Sequence, residues 1–197
     1  MPPEATALPR SPDLMRAADT ALLVVDVQER LLGAISAGQR IAWNCGRLLE
    51  GARVLGVHAA ATEQNPDKLG GTVAELSRAF ATPARAKMAF SCGACGALFS
   101  DWRTRGIDRV LVCGIETHVC VAQTVLDLLS SGFQTYVAVD AVGARAALDH
   151  EVALRRLEAS GATLTTVEAA LFEWCERAGT DEFRAISALV KQVPLAE

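Results

Sequence analysis

Short apolar runs alternate with stretches of helical spacing along most of the chain. Runs rich in β-branched residues predict strands at residues 20–27, 57–62, 109–113, 134–139 and 162–166, with a weaker strand at 84–88. Apolar residues three and four positions apart predict helices at 41–52, 73–78, 96–105, 117–131, 149–160, 168–177 and 181–191. The alternation predicts an α/β protein with a mostly parallel sheet of about six strands, as in a three-layer α/β/α, Rossmann-like fold.

The first residues have a different composition from the rest. Prolines at positions 2, 3, 9 and 12 disfavour regular structure, which predicts a flexible N-terminal arm over residues 1–19. The remaining residues, 20–197, suit a single domain, because a chain of 197 residues has little room for a second core.

Composition and charge exclude several classes of function. Hydrophobic residues make up 51% of the chain and charged residues 21%, so extended disorder is excluded. The net charge of -4 lacks the basic field that nucleic acids or anionic membranes attract, so we expect neither as a partner. No apolar run approaches the roughly 20 residues that span a bilayer. Without a recognisable secretory signal, a cytoplasmic location is expected, and most of the six cysteines are expected to be buried free thiols.

Three reactive residue types fall near predicted strand ends. Asp26 closes the first strand, Lys87 lies on the weak third strand, and Cys120 falls in the first turn of the helix that follows residues 109–113. Ligands of parallel sheets bind at the carboxyl ends of the strands. If Thr117 caps that helix, its N-terminus favours a Cys120 thiolate and stabilises an oxyanion. Taken singly, Asp26 could instead cap a turn, Lys87 lie on the surface and Cys120 pack in the core.

Together these segments resemble a known family. The stretches Leu-Leu-Val-Val-Asp26-Val-Gln28, Lys87-Met-Ala-Phe-Ser91 and Gly114-Ile-Glu-Thr-His-Val-Cys120-Val resemble those of the isochorismatase-like cysteine hydrolases. The likeness is closest to the single-domain branch called isochorismatase domain-containing proteins, and it extends over residues 20–191. The cysteine segment is the most specific of the three.

The resemblance implies a catalytic Asp-Lys-Cys triad. Cys120 would be the nucleophile, Asp26 the base, and Lys87 the cation that orients and polarises them. The backbone N–H groups of Glu116 and Cys120 would form the oxyanion hole, with a cis peptide between Ile115 and Glu116. The implied activity is hydrolysis of a small amide, imide or ester through an acyl-enzyme, in a protein that forms a homo-oligomer.

Four further residues are expected to shape the pocket for a small-molecule substrate: Gln28, Leu32, Phe90 and His118. No metal or other cofactor is expected. Metal-binding nicotinamidases carry an Asp-x-His stretch after the second strand, whereas this chain has His58-Ala-Ala-Ala-Thr-Glu-Gln-Asn there. Isochorismatases of siderophore synthesis lack the nucleophilic cysteine, so the presence of Cys120 favours acyl chemistry.

Two other functions stay open at this point. Cys92 and Cys95 have the spacing of a redox pair, which would make the protein a thiol oxidoreductase. The third possibility is a non-catalytic oligomeric interaction protein on the same scaffold, in which Cys120 serves only for packing.

Overall fold

A computed structural model describes residues 8–193 and contains one six-stranded sheet. The strands are β1 (Thr20–Val25), β2 (His58–Gln64), β3 (Arg85–Lys87), β4 (Arg109–Ile115), β5 (Gln134–Gly143) and β6 (Thr163–Thr165). Their order across the sheet is β3-β2-β1-β4-β5-β6, and every neighbouring pair is parallel. The predicted fold class is therefore confirmed, and each predicted strand overlaps an observed one.

Helices connect the strands and cover both faces of the sheet. They are α1 (Glu29–Leu32), α2 (Gly38–Leu55), α3 (Pro66–Leu69), α4 (Ala74–Ser77), α5 (Gly96–Thr104), α6 (Ala122–Ser130), α7 (Ala147–Ala159), α8 (Val167–Cys175) and α9 (Asp181–Val190). A 3-10 turn covers Cys92–Cys95, and a π-helical turn covers Thr117–Val121. The short helices α1 and α3 were not predicted. Among residues 8–193, no helix is both long enough and apolar enough to cross a membrane.

Two separate cores form because the strands are buried on both faces. On β1, Leu22 and Val24 belong to the core that also contains side chains of α2, α8 and α9. Leu23 and Val25, on the opposite face, belong to the core with side chains of α5, α6 and α7. Side chains alternate across a strand, so a continuous apolar run such as residues 20–25 fills both layers.

The strand order reverses between β1 and β4, which lie side by side at the middle of the sheet. β2 and β3 extend the sheet from β1 in one direction, and β5 and β6 extend it from β4 in the other. Val25 pairs with Gly114 in the parallel ladder. Gly114 has a φ of 113°, and a Cβ there would lie 2.1 Å from the carbonyl oxygen of Val25, so only glycine fits. Ligands of such sheets bind at this switch point.

The second half of the expected N-terminal arm is packed against the domain, so the prediction of a flexible arm is wrong there. Met15 is completely buried. Arg10 donates to the carbonyl oxygens of Met15 and Glu173, and the hydroxyl of Tyr136 donates to the carbonyl oxygen of Asp13. The prolines do prevent regular structure, but side-chain hydrogen bonds fix this segment without it. Residues 1–7, the first part of the arm, lie outside the described residues.

Candidate active site

Asp26 follows β1 at the switch point, and its side chain is completely buried. Its φ of 51° is left-handed, a conformation that Asp adopts more readily than most residues. Its backbone N–H donates to the carbonyl oxygen of Thr62 at 3.2 Å, and the hydroxyl of Thr62 donates to Oδ1 of the carboxylate at 2.8 Å. The end of β2 therefore orients the carboxylate that follows β1.

Lys87 is the last residue of β3, and its ammonium group reaches across β2 to Asp26. Its Nζ lies 2.7 Å from Asp26 Oδ2, 3.0 Å from Gln64 Oε1, and 2.8 Å and 3.3 Å from the carbonyl oxygens of Phe90 and Ala89. Only 5% of Lys87 is exposed. A buried ammonium needs both a counter-charge and further acceptors, and this position provides both.

Cys120 lies in the π-helical turn between β4 and α6. The backbone N–H of Val121 donates to the carbonyl oxygen of Glu116, and that of Ala122 donates to the carbonyl oxygen of Thr117, as π-helical geometry requires. Single π turns occur frequently at functional sites. The Ile115–Glu116 peptide that precedes the turn is cis, as the family resemblance implied. Cys120 is 5% exposed.

Burial and a neighbouring carboxylate favour the protonated form of the Cys120 thiol. Its pKa is raised to about 12, chiefly by burial and then by the charge of the Asp26 carboxylate, while the cation of Lys87 lowers it. The expected thiolate is therefore not the resting form. A buried thiol beside a carboxylate keeps its proton until a reaction step moves it.

Thr117 does not cap the helix, so that prediction is wrong. The residue before the π turn is Glu116, and it makes no side-chain cap. The hydroxyl of Thr117 instead lies 2.9 Å from Nδ1 of His150 at the start of α7. Burial lowers the pKa of His150, so this imidazole is neutral near pH 7. Thr117 thus bonds to a residue 33 positions away in the sequence instead of capping the helix next to it.

The backbone N–H of Glu116 points to no hydrogen-bond acceptor among residues 8–193. The Glu116 side chain, in contrast, accepts from the backbone N–H of Arg145 at 3.0 Å and from its Nε at 3.1 Å. This ion pair joins the segment before Cys120 to the loop after β5. The loop therefore holds the Glu116 side chain, while the backbone N–H keeps its hydrogen-bonding capacity.

The four expected pocket residues occupy four different environments. Gln28 is completely buried, and its amide bonds to the main chain of Gln64 and Gly70, so it braces a loop and has no group to offer a substrate. Phe90 is 53% exposed close to Lys87, which bonds to its carbonyl oxygen. His118 is half-buried, with Nε2 3.7 Å from Asp149 Oδ2.

Leu32, the fourth, lies on α1 and lines two adjoining cavities. The walls of these cavities include none of Asp26, Lys87 and Cys120. The prediction that Leu32 contacts the substrate of the triad does not fit this position.

Cys92 and Cys95 lie at opposite ends of the 3-10 turn and are free thiols. Cys92 is completely buried, with its Sγ 3.3 Å from the hydroxyl of Thr62 and its N–H bonded to Thr124. Burial raises the pKa of Cys92 to about 11, so it too is a neutral thiol. No cluster of three or more His, Cys, Asp or Glu side chains that could hold a metal ion occurs in the part of the chain described by the structure.

Three supporting contacts were not predicted: the hydroxyl of Thr62 with Asp26, the amide of Gln64 with Lys87, and the ion pair of Glu116 with Arg145. The position of Thr62 and Gln64 at a strand end was the only signal for them. No local pattern links Glu116 to a residue 29 positions away.

The 3-2-1-4-5-6 parallel sheet, with its candidate site at the carboxyl ends of the strands, defines a three-layer α/β/α protein, and comparison with known proteins identifies the family. The isochorismatase domain model matches residues 20–169, so the chain belongs to the isochorismatase domain family. A secreted isochorismatase effector of Phytophthora sojae is 36% identical over 179 residues, covering 88% of this chain and 85% of the relative. Isochorismatase domain-containing protein 2 of Bos taurus is 39% identical over 171 residues, covering 87% and 82%.

Solved structures share the fold over nearly the whole chain. A protein named MAR1 ribonuclease from Caenorhabditis elegans has a TM-score of 0.84 and 33% identity, covering 93% of this chain and 99% of its own. YcaC from Pseudomonas aeruginosa, with hexane-2,5-diol and covalent acrylamide, has a TM-score of 0.82 and 25% identity, covering 92% and 93%. The Escherichia coli YcaC gene product, described as an octameric hydrolase of unknown specificity, has a TM-score of 0.77 and 21% identity, covering 92% and 89%.

Proposed function

We propose that this member of the family is a cysteine hydrolase that cleaves a small amide, imide or ester through an acyl-enzyme on Cys120. The observation that carries the proposal is the buried ion pair of Lys87 with Asp26, placed where the Asp26 charge acts on the Cys120 thiol. Burying a charged pair costs desolvation free energy that its Coulomb attraction largely offsets, so the pair contributes little to stability by itself. Its position beside a thiol therefore favours a chemical role.

In the first half-reaction, Sγ of Cys120 attacks the carbonyl carbon of the substrate while Asp26 accepts the thiol proton. The backbone N–H groups of Glu116 and Cys120 stabilise the negative oxygen of the tetrahedral intermediate. As the intermediate collapses, Asp26 returns the proton to the leaving nitrogen or oxygen, and a thioester on Cys120 remains.

In the second half-reaction, a water molecule attacks the thioester and Asp26 accepts a proton from it. Collapse of the second intermediate releases the carboxylic acid, and the proton held by Asp26 restores the Cys120 thiol. Lys87 keeps its contact with Asp26 throughout, so that the carboxylate has a counter-charge whenever it is ionised.

The raised pKa of the thiol supports proton transfer during the attack rather than a preformed thiolate. The covalent acrylamide in Pseudomonas YcaC supports the proposal by likeness, because acrylamide is an electrophile that nucleophiles such as thiols attack. The reaction of Pseudomonas YcaC does not identify the substrate of this chain. We propose only the class of that substrate, a small carbonyl compound.

The test is a screen of small amides, imides and esters with release of the acid product as the readout. Acid quenching during turnover, followed by peptide mass spectrometry, is expected to find the acyl group on Cys120. The Cys120→Ala protein is expected to show neither the adduct nor turnover. Turnover that persists in Cys120→Ala, or an acyl group on another residue, would refute the mechanism.

Alkylation with iodoacetamide separates this proposal from its two alternatives. Preferential labelling of Cys120 as the pH rises favours the hydrolase, paired reactivity of Cys92 and Cys95 favours an oxidoreductase, and inert thiols favour an interaction protein. The complete burial of Cys92 speaks against a redox pair that exchanges with external disulfides. Because the net charge is -4, we also expect no cleavage of RNA in the same assays, in spite of the name of the nematode neighbour.

We also propose that the protein forms a homo-oligomer. Met88 and Phe90 on the loop after β3 are 71% and 53% exposed, and Leu148 and Val152 on α7 are 68% and 47% exposed. Exposed apolar side chains of this size are typical of subunit contacts. The octameric YcaC structure supports the idea at the level of the fold alone. Sedimentation velocity tests it, and a monomer at micromolar concentration would contradict it.

A further inference from the structure

One of the two cavities lined by Leu32 lies on the face of the domain formed by α1, α2, α4 and α9. Its volume is about 640 Å³, within the range of small-molecule binding sites. Its walls are mainly apolar and include Leu32, Val73, Leu76 and Leu189, together with the indole of Trp43. No residue of the proposed triad contributes to these walls, so the cavity is separate from the candidate active site.

Arg47 is one of the residues that line this cavity, and only 8% of the residue is exposed. Its two terminal nitrogens make only long hydrogen bonds, both of 3.4 Å, to Asn44 Oδ1 and to the carbonyl oxygen of Val190. Its Nε has no partner. Within residues 8–193, no carboxylate forms an ion pair with Arg47, unlike the buried Lys87.

The other charged residues around the cavity form no ion pair with Arg47 among the described residues. The guanidinium carbon of Arg47 lies 4.6 Å from the ring centroid of Trp43, a cation–π contact that offsets part of the burial but supplies no negative charge. Glu50, also in the wall, is bound by both Nε and Nη2 of Arg53 at 2.9 Å and 2.6 Å. Arg40 and Glu75 add one further charge of each sign to the wall. A buried cation of this kind favours an anion as its neighbour.

We propose that this cavity binds a small organic anion that has a carboxylate and an apolar, planar body. The carboxylate pairs with Arg47, in the two-pronged geometry that guanidinium and carboxylate share. The body lies against Trp43, Leu76 and Val73. This binding site does not depend on the proposed hydrolase activity.

The test uses 2-naphthoate as the probe and isothermal titration calorimetry of the full chain as the measurement. A neutral compound of the same shape, 2-naphthylmethanol, isolates the contribution of the carboxylate. We expect one site per chain and at least about tenfold weaker binding of the alcohol, the size of effect expected for a buried charged hydrogen bond. Equal affinity for the acid and the alcohol would overturn the proposal.

Two substitutions locate the site. Arg47→Gln is expected to reduce 2-naphthoate affinity by about tenfold or more while leaving that of the alcohol unchanged. Ala42→Phe, which fills the cavity and keeps Arg47, is expected to abolish the binding of both compounds. Arg155→Gln, on the surface of α7, is the matched control and should bind as the parent does. If circular dichroism shows that Arg47→Gln does not fold, the proposal is tested by two other measurements. These are the binding of both compounds to Ala42→Phe and the ratio of the affinities of the parent protein for 2-naphthoate and 2-naphthylmethanol.

Two outcomes would assign the cavity differently and refute the proposal. Loss of 2-naphthoate binding after alkylation of Cys120 would place the probe in the active site. A change of oligomeric state in Ala42→Phe, with no binding to the parent protein, would make the cavity a contact between copies of the chain. Unchanged binding in both folded variants would also refute it.

Discussion

The ammonium nitrogen of Lys87 lies 2.7 Å from Oδ2 of Asp26, and only 1% and 0% of the two side chains are exposed. The other carboxylate oxygen accepts from the hydroxyl of Thr62. Both oxygens of Asp26 are thus oriented before any substrate arrives. In the proposed mechanism this fixed carboxylate exchanges a proton with Cys120.

Replacing Asp26 with Asn should accelerate alkylation of Cys120 and slow hydrolysis. The Asp26 carboxylate raises the pKa of the thiol, so its removal lowers that pKa and increases the thiolate fraction at a given pH. Alkylation by iodoacetamide at pH 8 should rise about three- to fourfold for each unit by which the pKa falls, because a less basic thiolate is also a weaker nucleophile. Turnover should fall, since an amide cannot accept the proton.

The control for this substitution is Asp101→Asn, which removes an exposed carboxylate that pairs with Arg105. Its alkylation profile and turnover should match those of the parent protein. If Asp26→Asn alkylates no faster than the parent, the carboxylate does not act on the thiol as proposed.

Replacing Lys87 with Met should have the opposite effect on the thiol. Lys87 lowers the pKa of Cys120, so alkylation at a given pH should slow when the cation is lost. The substitution also leaves a buried carboxylate unpaired, which we expect to reduce the free energy of unfolding by about 3–5 kcal/mol. Urea denaturation checks the second effect, with Lys68→Ala on exposed α3 as the control. An unmoved alkylation profile would contradict the role of Lys87.

Alkylation of the parent protein should also depend steeply on pH. Because the pKa of Cys120 is about 12, the reactive thiolate is a small fraction at neutral pH and grows as the pH rises. The rate should therefore increase about tenfold per pH unit between pH 7 and pH 10, with no plateau in that range. Cys120→Ala should lose this labelled peptide, and Cys175→Ala should keep it. A plateau below pH 8 would show a lowered pKa instead.

Replacing Thr62 with Val removes the hydroxyl that orients Asp26 and leaves one buried carboxylate oxygen without a donor. Such a loss costs about 1–3 kcal/mol, so we expect kcat/KM to fall by about tenfold to a hundredfold. Thr62→Ser restores the hydroxyl and should recover most of the activity. If Thr62→Val keeps the activity of the parent protein, the hydroxyl does not orient the carboxylate as proposed.

Chelation should leave turnover unchanged. The prediction rests on the absence of the Asp-x-His stretch after the second strand, where the sequence has His58-Ala-Ala-Ala-Thr. Dialysis against EDTA followed by a steady-state assay checks it. Loss of activity that zinc restores would instead support metal-dependent, nicotinamidase-like chemistry.

The sheet and its reactive edge could be predicted from the sequence because their signals are local. The apolar run of β1 ends at Asp26 and that of β4 leads to Cys120, and the parallel arrangement brings the ends of neighbouring strands together. The family resemblance added Lys87, whose short strand carries little pattern of its own.

The supporting contacts could not be predicted because their partners are distant in the sequence. Thr117 has the right chemistry for a cap, but it bonds to His150 instead. Gln28 has a polar side chain after a strand, as a pocket residue would, yet backbone groups take up its whole amide. The state of the Cys120 thiol depends on burial, which no local motif reveals.

The missing side chain of Gly114 fixes the positions of the reacting groups, whereas recognition of the substrate depends on the surrounding loops. Because its missing side chain lets β1 and β4 approach, main-chain packing sets the spacing of Asp26 and the Cys120 turn. The loops after β3 and β5 add the Ala89 and Phe90 carbonyl oxygens, which hold Lys87, and Arg145, which holds Glu116. An engineer could therefore vary the other loop positions for a new substrate while the reacting groups stay in register, built into the scaffold itself.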